Sequence, residues 1–489
     1  MLPSQTTTGW LKTRIFEVLF LLVCLAFGLF LRLYHLDTDL LFHRDQGLHS
    51  LSIWRIWHDQ DLTLLGHPSD VDGLFHSPVY YYLMLPAYFL SGGDPVAASV
   101  FQILFEFLTL PFFYLGIKHL FGKPTARLSI LFYAVSYGLI CYSRWLVNVT
   151  PILPFSHLLL YSLVFNFPLL AFFSAGIITQ LNAAVGVFLF PFLVFFYIKK
   201  FKTIFAGTTL FLLPALPIVL FDFLHQHIIS RSVLSFSGQS GAGIGLNPLV
   251  FINNLTTFFV EINHLLIYPF FFFSSILFLI ALVAFRHHHQ RRLIYGFLII
   301  PFLGLSLYQR GAISFFFISL LPLSLALISA LIIRLPRALS TILIVLIISL
   351  NLSHLPHIYQ PSNALIPIGN ANIITLQDRK DIVDWIYQQS HGLPFSVWFY
   401  TLPYFQEEVW DYTLLWYAAP KYGYLPEKTT GFSPNDLTTS RYFYAVWEPD
   451  ADHPARLEVW HQQVLANFST PSAGFASHGL FVEKHNVFR

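Results

Sequence analysis

Apolar residues dominate the first 352 positions in long runs parted by short polar breaks, at 15–33, 96–117, 128–143, 152–166, 168–178, 183–198, 204–221, 264–285, 293–307, 313–333 and 338–352. A helix needs about 20 such residues to cross a hydrocarbon layer of about 30 Å, so these runs predict transmembrane spans. The first carries charge only near its ends, at Glu17 and Arg32, and no small-residue cleavage site follows it. It therefore predicts an uncleaved span rather than a signal peptide. The stretch 152–178 allows one long span or two short ones hinged at "FNFP" (Phe165 to Pro168), where proline removes a backbone donor. The basic breaks decide between them: Lys12/Arg14, "KHLFGKPTAR" (Lys118 to Arg127), "KKFK" (Lys199 to Lys202), "RHHHQRR" (Arg286 to Arg292) and "RLPR" (Arg334 to Arg337). Two short spans put all five on one side. The positive-inside rule then predicts about eleven spans, a cytoplasmic N-terminus and an extracytoplasmic C-terminal part. The short pair is expected to border a cavity or to thin the membrane locally.

The pattern changes after residue 352. "DRKDIVDWIYQQ" (Asp378 to Gln389) and "HPARLEVWHQQVL" (His453 to Leu465) have helical periodicity, while "FSVWFY" (Phe395 to Tyr400), "RYFYAVW" (Arg441 to Trp447) and "GLFVEK" (Gly479 to Lys484) read as strands. The expected architecture is an all-α polytopic membrane domain, 1–352, followed by a small soluble α/β domain, 353–489. Two large outer loops are expected, at 35–95 and 222–263. Within the first, Leu48, Leu51, Trp54 and Trp57, joined by Ile53 and Ile56, share one helical face, the signature of a helix lying on the membrane surface. "SPVYYYLMLPAYFL" (Ser77 to Leu90) suits the same boundary.

Composition supports this division. Of 489 residues 55% are hydrophobic and 11% charged, too little polarity to clothe a soluble fold of that size. The net charge of +2 conceals an acidic tail: from Ser353 onward 13 acids face 8 basic residues, net −5, which leaves the rest at +7. Nothing concentrates Lys and Arg as a nucleic-acid binder would. Both cysteines, Cys24 and Cys141, sit inside apolar runs, which excludes a disulfide framework. No internal repeat is evident.

Ionisable groups near membrane depth are costly and raise a functional question. Asp45, in "FHRDQG", follows the first span and is roofed by the two surface segments. It is either one of eight solvated loop acids or a general base at a cavity mouth that takes a proton from a hydroxyl. Glu106, within the second span, is either a helix-packing partner or a cavity residue. Asp222, at the end of the seventh span, either helps to bind an acceptor or marks the boundary. "SGQSGAGIG" (Ser237 to Gly245) has the glycine content of a phosphate cradle but lacks the Gly-Lys-Ser/Thr ending, so a flexible loop is expected there. "HQH" (His225 to His227) and "HHH" (His287 to His289) have no evident ligand shell and read as headgroup contacts rather than metal sites.

One span, "FHRDQG", an amphipathic helix, "G-x-F-H-S-P-x-Y-Y-Y" and further spans together resemble the C-type membrane glycosyltransferase superfamily, in particular bacterial family 39, the protein mannosyltransferases and aminoarabinose transferases. "YSRWLVNVTPILPF" (Tyr142 to Phe155) is similar to that group's second outer loop, and "YQRGAISFFFISLLPL" (Tyr308 to Leu323) to its late basic-aromatic segment. Three departures stand out. Gln46 follows Asp45 where the family often has Glu, His76-Ser77-Pro78-Val79 matches the juxtamembrane motif only in part, and Phe315 to Phe317 replace tyrosines.

The resemblance implies transfer of a sugar, with inversion, from a polyprenyl-phosphate donor to a protein, lipid or glycan hydroxyl at the outer face. Asp45 would be the base, and membrane lipids, the donor and the acceptor the partners. The leaving phosphate gains charge in the transition state, so outer-face cations are wanted. Arg144, Arg310 and Arg44 are the candidates, with snorkelling to headgroups as the alternative for each. His43, Gln46, His76, Tyr308, Asn148 and Asp222 are expected around the substrate. No cofactor beyond the donor is implied, and a divalent cation is allowed but not indicated. Two rivals differ in class. A transporter tends to show inverted repeats and interrupted midplane helices, whereas a lipid-linked glycan polymerase or ligase would carry its key acid elsewhere than the first loop.

Overall fold

A computed structural model of the chain describes residues 7–69, 73–238, 245, 247–266, 272–358, 374–429, 440–468 and 470–487. The phosphate-cradle lookalike at 237–245 falls largely outside them. Among them, six helices are long and apolar enough to cross a membrane: Ile15–Leu33, Pro95–Phe121, Phe201–Leu224, Pro248–Leu266, Ser314–Arg334 and Arg337–Leu355. A bent pair, Lys123–Val135 and Tyr137–Arg144, which meet at 59°, makes a seventh if the two count as one span. At the bend the Ser136 hydroxyl donates to the Leu265 carbonyl at 2.6 Å and accepts the Leu139 N–H. By length and composition the count is thus six or seven, against about eleven expected. The other apolar runs form helices of 16 residues or fewer.

The reason is local breaks. Ile152–Val164 and Pro168–Leu181 are separate helices, each about 20 Å long at 1.5 Å per residue. They pack as a hairpin around Asn166, whose φ is +58°. The region 222–263, expected as a loop, is largely helical. It contains Ile228–Gly238 and most of Pro248–Leu266.

Ser314–Arg334 is the bundle's central element, with 94% of its span buried. Its run Leu321–Arg334 is apolar on all sides, as a helix surrounded by helices must be, and Ser324 and Ser329 satisfy their hydroxyls on carbonyls four residues back, both at 2.9 Å. Between the first two long helices lies one buried ionic cluster. Arg32 stands 3.7 Å from Glu106, and Tyr133 and Ser143 donate to the same carboxylate at 2.8 and 3.0 Å. Glu106 is therefore a helix-packing partner rather than a lining residue of the cavity described below.

The C-terminal part is the expected mixed α/β domain. A five-stranded sheet runs in the order β2-β1-β3-β5-β4, with β1 Phe395–Tyr400, β2 Glu427–Lys428, β3 Tyr442–Trp447, β4 Ala473–Ser477 and β5 Leu480–Asn486. β1 is parallel to β2 and β3, and β5 is antiparallel to β3 and β4. The helix Leu376–Ser390 is opened by Thr375 and Asp378 in a reciprocal capping box.

This domain packs directly against the bundle. One apolar core runs from the bundle through Leu41, Phe42, Val409, Trp410 and Tyr412 into the sheet. Backbone bonds join Phe42 N–H to the Ile374 carbonyl at 3.0 Å and Leu376 N–H to the Leu40 carbonyl at 2.9 Å.

Candidate active site

The segment between the first long helix and Asp45 is short and held on both sides. Arg379, itself buried, donates from Nε to the Phe42 carbonyl at 2.7 Å, and Ile374 N–H donates to His43 Nε2 at 3.2 Å. The chain then enters the helix Arg44–Trp57, where Gln46 Oε1 accepts the His43 N–H at 2.9 Å. Asp45 stands in the first turn, at the positive end of the helix dipole, where a carboxylate is stabilised as an anion. The same helix is fixed from behind by Gly47, because a Cβ there would lie 2.2 Å from Val409 Cα in the C-terminal domain.

Asp45 is 53% exposed and opens onto a cavity of about 530 Å³. Arg44, His67, His76, Asn148, Tyr308 and Arg310 line the same cavity. Arg44 Nη1 lies 3.6 Å from Asp45 Oδ1. Arg310 projects from the loop after Arg291–Ser306, its guanidinium 4.9 Å above the Phe236 ring. That loop is gripped by Asn254, fully buried, whose amide donates to the carbonyls of Leu305, Ser306 and Tyr308 and accepts the Ala312 N–H at 2.6 Å. The open ends of the short helical hairpin supply another wall, with Asn148 before it and Asn182 to Ala184 after it, and Asn148 donates to the Leu181 carbonyl at 2.7 Å. Trp145, Phe315 and Phe316 make part of the lining aromatic. The site thus pairs one exposed carboxylate with two guanidiniums at an apolar-sided opening, which suits a hydroxyl to be deprotonated and an anionic group on an apolar tail.

Histidines form the roof. His67 and His76 flank a small hairpin loop and stack at 4.1 Å, and His49 Nε2 meets His67 Nδ1 at 3.1 Å. Burial, then the charges of His76 and Arg44, push the pKa of His49 down to about 3. Burial and the same neighbours, with His49 added, hold His67 far below its usual range. Both rings are neutral at physiological pH, so His67 lines the cavity without adding charge and His49 supports it from the interior. Among the described residues no three His, Cys, Asp or Glu side chains are grouped to hold a metal ion.

Six of the ten residues singled out from the sequence meet here: Asp45, Arg44, His76, Asn148, Tyr308 and Arg310. The other four do not line the cavity. His43 and Gln46 face the C-terminal domain and the helix start. Arg144 is buried and donates to the carbonyls of Arg32, Tyr34 and His35 at 3.0, 2.7 and 3.5 Å, with Asp39 at 3.9 Å. Asp222 accepts from Ile229 and Ser230 and so caps the helix Ile228–Gly238. Sequence reasoning missed His67, Asn182 and the anchoring Asn254. The signals were present: His67 and His76 bracket a Pro- and Gly-containing loop symmetrically, and Asn254 is an amide inside an apolar helical run.

No family model matches the chain, and no curated protein is similar to it in sequence. Solved structures are similar in shape. ArnT from Cupriavidus metallidurans, in its structure bound to undecaprenyl phosphate, matches with a TM-score of 0.62 at 12% identity over 98% of both chains, and its apo state with 0.60. The Archaeoglobus fulgidus oligosaccharyltransferase in its apo form matches with a TM-score of 0.51 at 10% identity, over 88% of this chain and 69% of its own. With a helical bundle, a docked C-terminal domain and the ArnT match along nearly its whole length, the chain shares the fold of these solved structures.

Proposed function

We propose that this protein is a membrane glycosyltransferase that moves a sugar from a polyprenyl-phosphate donor to an acceptor hydroxyl at the outer face of a bacterial-type cell membrane. One observation carries the reading. Asp45 and the two guanidiniums of Arg44 and Arg310 share a single cavity beneath the juxtamembrane roof, in a chain whose fold is that of lipid-dependent glycosyltransferases.

The acceptor hydroxyl attacks the anomeric carbon as Asp45 takes its proton, and the bond from that carbon to the phosphate oxygen breaks. The electron pair leaves with the polyprenyl phosphate, whose added negative charge Arg44 and Arg310 stabilise. Attack opposite the leaving group inverts the anomeric centre. A protein, lipid or glycan hydroxyl satisfies this chemistry equally. His76, Tyr308 and Asn148 line the same cavity and carry groups able to hydrogen-bond the transferred sugar's hydroxyls.

The test is incubation of purified protein in lipid nanodiscs with a set of radiolabelled polyprenyl-phosphate sugars and a membrane extract, followed by mass analysis of labelled products. Label moved to a new hydroxyl supports the reading. Absence of transfer or donor binding across the set would refute it.

A further inference from the structure

At the end of the first long helix remote from the C-terminal domain lies a second cavity, of about 360 Å³, unconnected with the reaction. Its walls are apolar: Leu21 and Leu25 of the first helix, Leu110 and Leu115 of Pro95–Phe121, and Ile130. Pro111, inside that helix, also lines the slot. Its mouth is different. Glu17, Tyr114 and Lys118 line it, and Lys123 and Arg127 stand beside it on the next helix.

Donors and acceptors at this mouth are unequal. Glu17 is the single carboxylate, and it is already taken by Tyr114, Lys123 and Lys118, the last at 3.2 Å. Each ammonium has three donors, and Lys118 and Lys123 direct one each to Glu17, which leaves two apiece. Arg127 lies 5.3 Å over Phe16 and 5.9 Å over Phe20, and its buried Nε has no partner among the described residues. Three cations against one saturated carboxylate leave a surplus of two charges. The positive end of the 13-residue helix Lys123–Val135 abuts the negative end of Pro95–Phe121, so the side-chain charges set the sign here. A ligand that fits therefore brings acceptor oxygens and negative charge, and an apolar tail of one chain's width. Among the described side chains, an ammonium-bearing headgroup meets only this saturated carboxylate and three cations.

We propose that this cleft binds an anionic phospholipid, with one acyl chain in the slot between Leu21, Leu25 and Leu110 and its phosphate on Lys118, Lys123 and Arg127. Basic pockets between transmembrane helices bind such headgroups for the same reasons of charge and desolvation. On the proposed orientation the lipid belongs to the inner leaflet. It would clamp the first helix to Pro95–Phe121, the pair that also shares the Arg32–Glu106 cluster.

Native mass spectrometry of the full-length protein, titrated with phosphatidylglycerol or phosphatidylethanolamine of equal chain length, tests this without any activity assay. Phosphatidylglycerol is expected to bind at least tenfold tighter and to survive collisional activation. Lys118→Ala with Lys123→Ala is expected to weaken it by about 30-fold, the effect of two membrane-surface cations. Leu21→Trp, which fills the slot and leaves the charges in place, is expected to abolish retention of both lipids. Equal affinity for the two lipids, unchanged binding in the double variant, or full retention in Leu21→Trp would each overturn the proposal.

Discussion

Arg310 and Arg144 are the same residue in similar sequence settings, each just beyond an apolar run, yet their surroundings differ in kind. Arg310 is exposed at the cavity, whereas Arg144 is buried against three backbone carbonyls. Sequence pattern shows that a guanidinium stands near a membrane boundary but not which oxygens it will meet, and this is why Arg44 and Arg310 reach the site and Arg144 does not. Arg310→Ala and Arg44→Ala should each raise the donor KM about tenfold or more, with Lys restoring only part because a point charge lacks the guanidinium fork. Arg144→Ala should leave the donor KM unchanged and lower stability by about 3 kcal/mol, because buried carbonyls and Asp39 lose their partner. Steady-state donor kinetics together with thermal melts in detergent separate the two. His49 gives a pH signature. Its folded pKa of about 3 lies below the usual 6.5, so the stability from its neutral burial is complete above about pH 6.5 and falls as pH drops from there towards 3. His49→Phe should make that acid limb shallower, with the buried His67 beside it supplying the remainder, and an unchanged limb would remove His49 as a cause.

Individual elements were legible where periodicity was strong. β1, β3 and β5, the helices Leu376–Ser390 and Pro454–Asn467, and the helix Arg44–Trp57 lie within a few residues of expectation, but Leu51, Ile53 and Ile56 of the last are buried in the protein core rather than laid on a membrane surface. β2 escaped because it is two residues long, and β4, "AGFAS", because small residues give it no alternation. The region 222–263 was misread because Asn253, Asn254 and Asn263 break its hydropathy. In the fold these amides turn inward or lie on a helix, and Asn254 becomes the anchor of the Arg310 loop. Asn254→Leu should therefore mimic Arg310→Ala in donor KM while preserving the helix, which circular dichroism would verify. The docking of the C-terminal domain was invisible to pattern reading because it depends on contacts between positions over 300 residues apart, such as Phe42 with Arg379. Gly47→Ala tests it. The new Cβ would collide with Val409 backbone, an overpacking cost of about 1–3 kcal/mol, and kcat should fall more than donor KM rises, because Asp45 moves with the helix. A variant with wild-type kcat would mean the docking has no bearing on the base.

At the scale of the molecule, the basic breaks gather at one end. Lys118 and Lys123 hold Glu17, His288 meets the Leu120 carbonyl at 3.1 Å, Arg334 lies 3.9 Å over Phe285, and Lys200 donates to Asn166 in the hairpin turn at 3.2 Å. Asp45 and the C-terminal domain occupy the other end. The positive-inside rule applied to this polarity predicts that a cysteine at exposed Gln462 reacts with an impermeant maleimide in intact cells, while one at exposed His289 reacts only after lysis. The native Cys24 and Cys141 are buried and should stay silent. The reverse pattern would put the site inside the cell. The central claim, that Asp45 deprotonates the acceptor, is tested most directly by the transfer rate at saturating donor for Asp45→Asn, with Asp59→Asn and Asp61→Asn as controls from the same loop. Asparagine keeps the size and loses proton acceptance, so turnover should fall by about two to four orders of magnitude, with expression, melting temperature and donor binding unchanged and both controls near wild type. Turnover of Asp45→Asn within a few-fold of wild type would contradict the account.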